Sequence, residues 1–315
     1  MDPALSNSTQ CQPHRLHNAL PCLLGIVYIS GFFLNGLGLW VFGCHVKKWN
    51  ASMVLQFNLA LTDVLITPVA PFIVLYSLTD HWPYGQFLCQ LKVGLLSAHM
   101  YGSICFLTLI SIHRYLTVVQ GASKSRCADK SFVKKLCLVV WVVLLLQGLP
   151  FFVILETSEV HNSTKCLSIH QSGMAVLYFS YNVVVLIVGL IVPFTVCLVC
   201  YSWLSTYISR LNARSLKSRA MKAKSVQVIA VCLLIFTGCY VPVHVARTIG
   251  VTVKLFYPAH CELLHRTEVS YYVTFTISSM NCCLDPLLYC FASKRFREAF
   301  QSYITSVRCL FPGSR

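Results

Sequence analysis

Seven long apolar stretches constrain this chain more than any single motif does. They lie near 20–45, 54–79, 88–119, 132–155, 174–208, 220–252 and 268–292 of 315 residues. Each reaches the roughly 20 residues needed to cross a hydrocarbon core. Hydrophobic residues make up 56 % of the chain and charged residues only 11 %, far below the quarter or so of a soluble domain. The expected fold is an all-α membrane protein, a seven-transmembrane helix bundle. The third, fifth and sixth stretches exceed what spanning requires, so they are expected to tilt or to continue into the cytoplasm.

Charge placement orients the bundle. The net charge of +15 would suit a nucleic-acid binder, but its distribution argues against nucleic acid. With the N-terminus outside, all 25 Lys and Arg fall at or near the inner face except Arg15, Lys92, Lys165, Arg247, Lys254 and Arg266. That asymmetry follows the positive-inside rule and also suits contact with anionic membrane lipids. Of the 10 acids, only Asp63 and Asp285 fall within spans. The organisation expected is an extracellular N-terminus over 1–19, a seven-span bundle over 20–292, and a cytoplasmic tail over 293–315 with a short basic amphipathic helix. Residues 1–19 lack an apolar core, so the first span is expected to serve as its own insertion signal.

Most of the 17 cysteines lie within spans, where a thiol is a small hydrophobe. Cys11, Cys89, Cys166 and Cys261 lie outside, and four cysteines allow three pairings. Cys89 opens the third span and Cys166 sits in the loop before the fifth. Pairing these two would pin that loop over the bundle mouth, leaving Cys11 with Cys261 by elimination. Asn7 and Asn162 occupy N-x-S/T sequons on outer segments and are candidate glycan sites. A third sequon, at Asn50, falls inside and is expected to stay unmodified. Cys309, beyond the basic stretch Lys294 to Tyr303, is a candidate for palmitoylation, the alternative being a free thiol.

Polar groups within the spans carry the functional information. Asn35, Asn58, Asp63, Asn281 and Asp285 are expected to form a mid-bundle cluster joining spans one, two and seven, able to hold water or a small cation between the two carboxylates. Acids at membrane depth exceed what interhelical bonding needs. Prolines interrupt five spans (Pro68 and Pro71, Pro150, Pro193, Pro242, Pro286), and the run Phe236 to Pro242, including Tyr240, is the sharpest expected kink. His113-Arg114-Tyr115 ends the third span. Tyr201 and Tyr289, also near inner ends, are expected to join it in a latch. Near the outer mouth stand Arg247 and His244 on one face of span six, Lys92 and His99 in span three, and the aromatic walls Tyr101, Tyr271 and Phe275. Lys165, Lys254 and Arg266 are placed on outer loops. An Arg fork binds carboxylate or phosphate, so the expected ligand is an anionic small molecule. The competing reading pairs Arg247 with Glu262 or Glu268.

Taken together, Asn35, Leu59 with Asp63, Cys89, His113-Arg114-Tyr115, Trp141, Cys166, Pro193, Tyr201, Phe236 to Pro242 and Asp285-Pro286-x-x-Tyr289 resemble the rhodopsin-like (class A) G-protein-coupled receptors in type and order, over essentially the whole chain. The resemblance implies a multi-pass plasma-membrane receptor, no enzymatic activity, and a heterotrimeric G protein as partner. It implies that Arg114 with Tyr115 engages the G protein, and that Asp63, Asn281 and Asp285 form a sodium-sensitive switch with which Tyr201 and Tyr289 move. It calls for no other cofactor. Two residues depart from the family pattern: His113 replaces the usual acid before Arg114, and Asp285 replaces the usual Asn. The first allows basal activity. Tyr101 to Thr108 and Tyr240 to Arg247 resemble the purinergic receptors, while Leu34 to Phe42 and Met280-Asn281 resemble the hydroxycarboxylic acid receptors. Purinergic receptors typically place an Arg ten residues before the Asp-Pro acid; here Phe275 stands there. An amine receptor would need an acid at Leu96, and an opsin a Lys at Ser279. The alternatives are a ligand-independent, constitutively active receptor-like protein and, more remotely, a seven-span zinc hydrolase. The latter would need convergent metal ligands, whereas His99, His113 and His244 are scattered and His260 and His265 are expected in an outer loop.

Overall fold

The computed structural model describes residues 18–119, 129–160, 163–166, 175–210, 216–292, 296–298 and 300–301. They form a ring of helices: α1 (Ala19–Trp40), α2 (Ala51–Leu65), α3 (Ala70–Thr79), α4 (Gly85–Val119), α5 (Lys130–Ile154), α6 (Ala175–Leu186), α7 (Val192–Arg210), α8 (Leu216–Ile235), α9 (Val241–Phe256), α10 (Cys261–Ser279) and α11 (Asn281–Ala292). One antiparallel hairpin, β1 (Thr157–Val160) with β2 (Ser163–Cys166), lies between α5 and α6.

Grouped by continuity, these make seven spans. Among the described residues, five helices are long and apolar enough to cross a membrane alone, and α2 with α3, bent by 41°, makes a sixth. The seventh, α10 with α11, is the most polar and packs against α1, α8 and α9, closing the ring. Large apolar side chains such as Val153 and Leu145 point outward at 84 % and 69 % exposure, while Asp63 and Asp285 are buried. That inverted pattern is what lipid as the outer solvent selects.

Local chemistry sets several ends. Asn50 accepts from the Met53 amide at 3.0 Å and caps α2, which is the use made of the inner sequon. Asp129 caps α5 through Ser131 and Phe132. Asp80 ends α3 in the left-handed region at φ 53°.

The prolines act unequally. Single π-helical turns, Ile187–Ile191 and Phe236–Tyr240, immediately precede the turns holding Pro193 and Pro242. A wider turn relieves the clash of the proline ring with the preceding carbonyl. Pro68 lies in the break between α2 and α3. Pro150 and Pro286 instead lie inside unbroken helices. The seventh span is interrupted earlier, at Met280.

That span also begins earlier than hydropathy indicates, at Cys261, because its first turns are polar. Lys254 and Arg266, expected on loops, therefore stand in α9 and α10, His265 stands in α10, and Lys165 stands in β2. Asn7, Cys11, Asn162 and Cys309 lie outside the described residues. Cys89 is bonded to Cys166, as expected, and Cys261 is disulfide-bonded too.

Candidate receptor cavity and switch

A cavity of about 250 Å³ opens at the outer end of the ring, small for a ligand site. Its lid is the hairpin. Cys166 ties β2 to the start of α4, the Trp82 amide donates to the Thr164 carbonyl at 2.8 Å, and Lys165 pairs with Asp80. Arg247, His244, Tyr101, Lys92, His99, Tyr271 and Phe275 all line this cavity.

The wall formed by span six is wired through hydrogen bonds. The Tyr240 carbonyl accepts Nδ1–H of His244 at 2.8 Å, which leaves Nε2 to accept the Tyr101 hydroxyl at 3.3 Å. The same hydroxyl oxygen accepts from Nη1 of Arg247 at 3.4 Å. The guanidinium lies 5.8 Å from the centroid of the Tyr181 ring. Tyr181 went unnoticed in the sequence, since nothing local links it to Arg247. Glu262 pairs with Arg266 on the exposed side of α10, and among the described residues no carboxylate lies within ion-pair range of Arg247. Phe275 stacks on Tyr271 with centroids 6.0 Å apart.

Lys92 faces the opposite wall. Its ammonium sits 4.6 Å from the centroids of both Tyr76 and Trp82. Trp82 belongs to the aromatic run His81-Trp82-Pro83-Tyr84, a signal available in the sequence but unused.

His99 turns to the cavity floor, where Nδ1 donates to the Thr62 carbonyl at 3.2 Å and lies 3.6 Å from Asp63. Ser103, one helical turn on, donates to Asp63 at 3.2 Å. Asp63 and Asp285 face each other, and Asn281 donates to Asp285 at 3.4 Å. The polar cluster thus joins spans two, three and seven. Span three enters through His99 and Ser103, which share a helix face four residues apart.

Two expected members go elsewhere. Asn58 accepts from the Trp141 indole at 2.8 Å, linking span two to span four. Asn35 donates to the Cys282 carbonyl at 2.7 Å and accepts from Tyr289 at 2.8 Å. Tyr289 is therefore held to span one and packs on Phe42 and Phe296. Tyr201 packs instead with Cys200, Leu204 and Ile229. Tyr115 packs on the same cluster as Tyr201, while Tyr289 belongs to another. Tyr115 lies against Trp203, and Nη2 of Arg114 donates to the Ser52 hydroxyl at 3.3 Å.

Among the described residues no cluster of three or more His, Cys, Asp and Glu is arranged to hold a metal. The acid pair offers oxygen donors only: Asp63 Oδ2 and Asp285 Oδ1 are buried with no hydrogen-bond partner among the described residues. Oxygen donors of this kind suit hard cations.

Comparison with known proteins agrees with this architecture. The model of the 7 transmembrane receptor (rhodopsin family) matches residues 34–289. Purinoceptor 4 of Rattus norvegicus is 34 % identical over 285 residues, covering 90 % of this chain and 78 % of the relative. Purinoceptor 2 of Homo sapiens is 34 % identical over 278 residues, covering 88 % and 74 %. Purinoceptor 1 of Homo sapiens is 31 % identical over 284 residues, covering 89 % and 75 %. With seven spans in the family order and similarity across nearly the whole bundle, the chain belongs to the rhodopsin family of G-protein-coupled receptors, in its purinergic branch.

Proposed function

We propose that this multi-pass plasma-membrane receptor, which is not an enzyme, binds an anionic small molecule in the outer half of the bundle and activates a heterotrimeric G protein. The observation that carries the reading is Arg247, a partly buried guanidinium that lines the cavity, bonds only a neutral hydroxyl, and has no carboxylate in ion-pair range among the described residues. A desolvated cation without a counterion favours an anionic ligand. The relatives are purinoceptors by name, so purine nucleotides head the ligand classes, followed by carboxylates and lipid acids. The basic stretch from Arg210 to Lys224 suits an acidic cytoplasmic partner and anionic lipid headgroups alike. A sodium ion between Asp63 and Asp285 would hold the inactive arrangement by satisfying both carboxylates.

The test is a G-protein dissociation assay in cells, run across several α-subunits with nucleotides, carboxylates and lipid acids. Arg247→Ala at normal surface expression abolishes an anionic response and Arg114→Ala abolishes all signalling; unchanged potency in Arg247→Ala refutes the pocket. A second reading, ligand-independent signalling, draws support from His113, which stands beside Arg114 where the family pattern has an acid. Signalling that needs Arg114 yet ignores Arg247 and every ligand would favour it.

A further inference from the structure

Lys92 is 6 % exposed, yet its ammonium makes no hydrogen bond and no ion pair among the described residues. Its only neighbours of note are the faces of Tyr76 and Trp82, each 4.6 Å away. An ammonium carries three donors, and ring faces satisfy its charge without accepting from all of them. Burial of such a group opposes folding unless something else accepts. Lys92 lines the cavity, and its nitrogen is not among the sealed buried atoms, so it is open to a molecule in that space.

Among the described residues, the acids lining the cavity, Asp80 and Glu268, do not pair with Lys92. Asp80 is paired with Lys165, and Glu268, across the mouth, shares the surroundings of that pair. Among the described residues, neither Arg247, beside Tyr101 and Tyr181, nor Lys92, between Tyr76 and Trp82, has a carboxylate partner. Their aromatic surroundings do not overlap. Lys92 precedes Tyr101, the hydroxyl partner of Arg247, by nine residues on α4, a rise of about 13 Å, so the two cations are held at different depths and one compact anionic group meets one of them.

Resting on the reading of Arg247 above, we infer that Lys92 is a second anion subsite and that the ligand favoured over a nucleotide, whose charges sit at one end, is a compact dianion with its anionic groups at two separated ends. One end takes the guanidinium fork. The other takes the ammonium in the Tyr76–Trp82 cage, and the aromatic walls cover the body between them. A ligand with one charged end leaves Lys92 desolvated and unaccepted, so it binds more weakly than the diacid of equal length.

The purified full-length receptor is titrated with glutarate, adipate, suberate and adenosine diphosphate, and with pentanoate, hexanoate and octanoate as single-ended controls. Ligand-induced thermal shift is the readout. A diacid binds the native protein, and Lys92→Gln weakens it on the order of tenfold to a hundredfold while leaving the matching monoacid unchanged. Without ligand, Lys92→Met raises Tm by a few degrees, because an unaccepted buried ammonium is replaced by a thioether of similar length. Diacid or nucleotide affinity lost in Arg247→Gln but kept in Lys92→Gln overturns the second subsite and leaves the Arg247 reading standing. Affinity lost in Lys92→Gln but kept in Arg247→Gln overturns that reading, and the two-ended ligand with it. No shift from any diacid with the native protein overturns the ligand class. A fall in Tm for Lys92→Met shows that the lysine serves the fold.

Discussion

Tyr101 and His244 are joined by a 3.3 Å hydrogen bond whose direction is set by a third residue, Tyr240. Because the Tyr240 carbonyl takes the Nδ1 proton, the tyrosine must donate to Nε2. Tyr240 closes the π-helical turn ahead of Pro242, so a cation in the cavity is wired to the bend of span six. Gly189, in the π-helical turn of span five, admits the same ring: a Cβ there would lie 2.8 Å from Tyr101. Tyr101 thus sits between the wide turns of spans five and six.

Tyr101→Phe keeps the ring and removes both hydrogen bonds. We expect a stability loss of about 1–2 kcal/mol, since a buried imidazole nitrogen loses its donor. Basal G-protein activation should rise, because span three no longer ties to His244 and, through it, to the turn that begins α9. Thermal denaturation and a ligand-free dissociation assay measure the two effects separately. A stability loss with unchanged basal signalling would reduce Tyr101 to a packing residue.

Two glycines on α1 test the helix-to-helix contact. A Cβ at Gly31 would lie 2.3 Å from the Cys282 sulfur, whereas one at Gly36 meets nothing within 4 Å. Gly31→Ala should cost about 1–3 kcal/mol by forcing α1 from α11. Gly36→Ala should be neutral or slightly stabilising, as alanine is the better helix former. Equal effects in a denaturation assay would show that the two helices do not pack this closely.

Cys166→Ser releases the hairpin from α4. The bond closes a sequence separation of 77 residues, and its loss is expected to cost about 2–4 kcal/mol. The Lys165–Asp80 pair and the Trp82–Thr164 bond then hold the lid alone. Surface expression should fall and any anion response weaken together; full retention of both would show that the lid is held without the bond.

The acid pair gives a salt-specific prediction. Two facing buried carboxyl groups need a proton or a cation between them. Sodium chloride should stabilise the receptor over choline chloride at equal ionic strength, by about 1.4 kcal/mol at ten times the Kd for sodium. Asp63→Asn and Asp285→Asn should each remove the difference. A sodium increment that survives both substitutions places the ion elsewhere.

Much of this was legible residue by residue. Hydropathy placed the spans, because crossing a membrane is a property of about 20 consecutive side chains. Cation placement oriented them, because the inner leaflet reads local charge. The cavity residues Arg247, His244, Tyr101 and Lys92 were visible as polar groups near outer helix ends. The start of span seven was not, since its first turns, with Glu262 and Arg266 exposed, look like loop.

Partnership needed the tertiary structure. One residue along a helix turns a side chain by about 100°, so neighbours in sequence face different helices. That is why Asn58 reaches Trp141 while Asp63 reaches Ser103, and why Tyr289 bonds Asn35 and leaves Tyr201 to another cluster. The amino-acid sequence by itself determined the number and order of the spans and which of them carry charge. Only the packing of the ring decided which charges meet, pairing Asp63 with Asp285 and leaving Arg247 and Lys92 facing the cavity without carboxylates, because those distances depend on how every helix rotates against its neighbours.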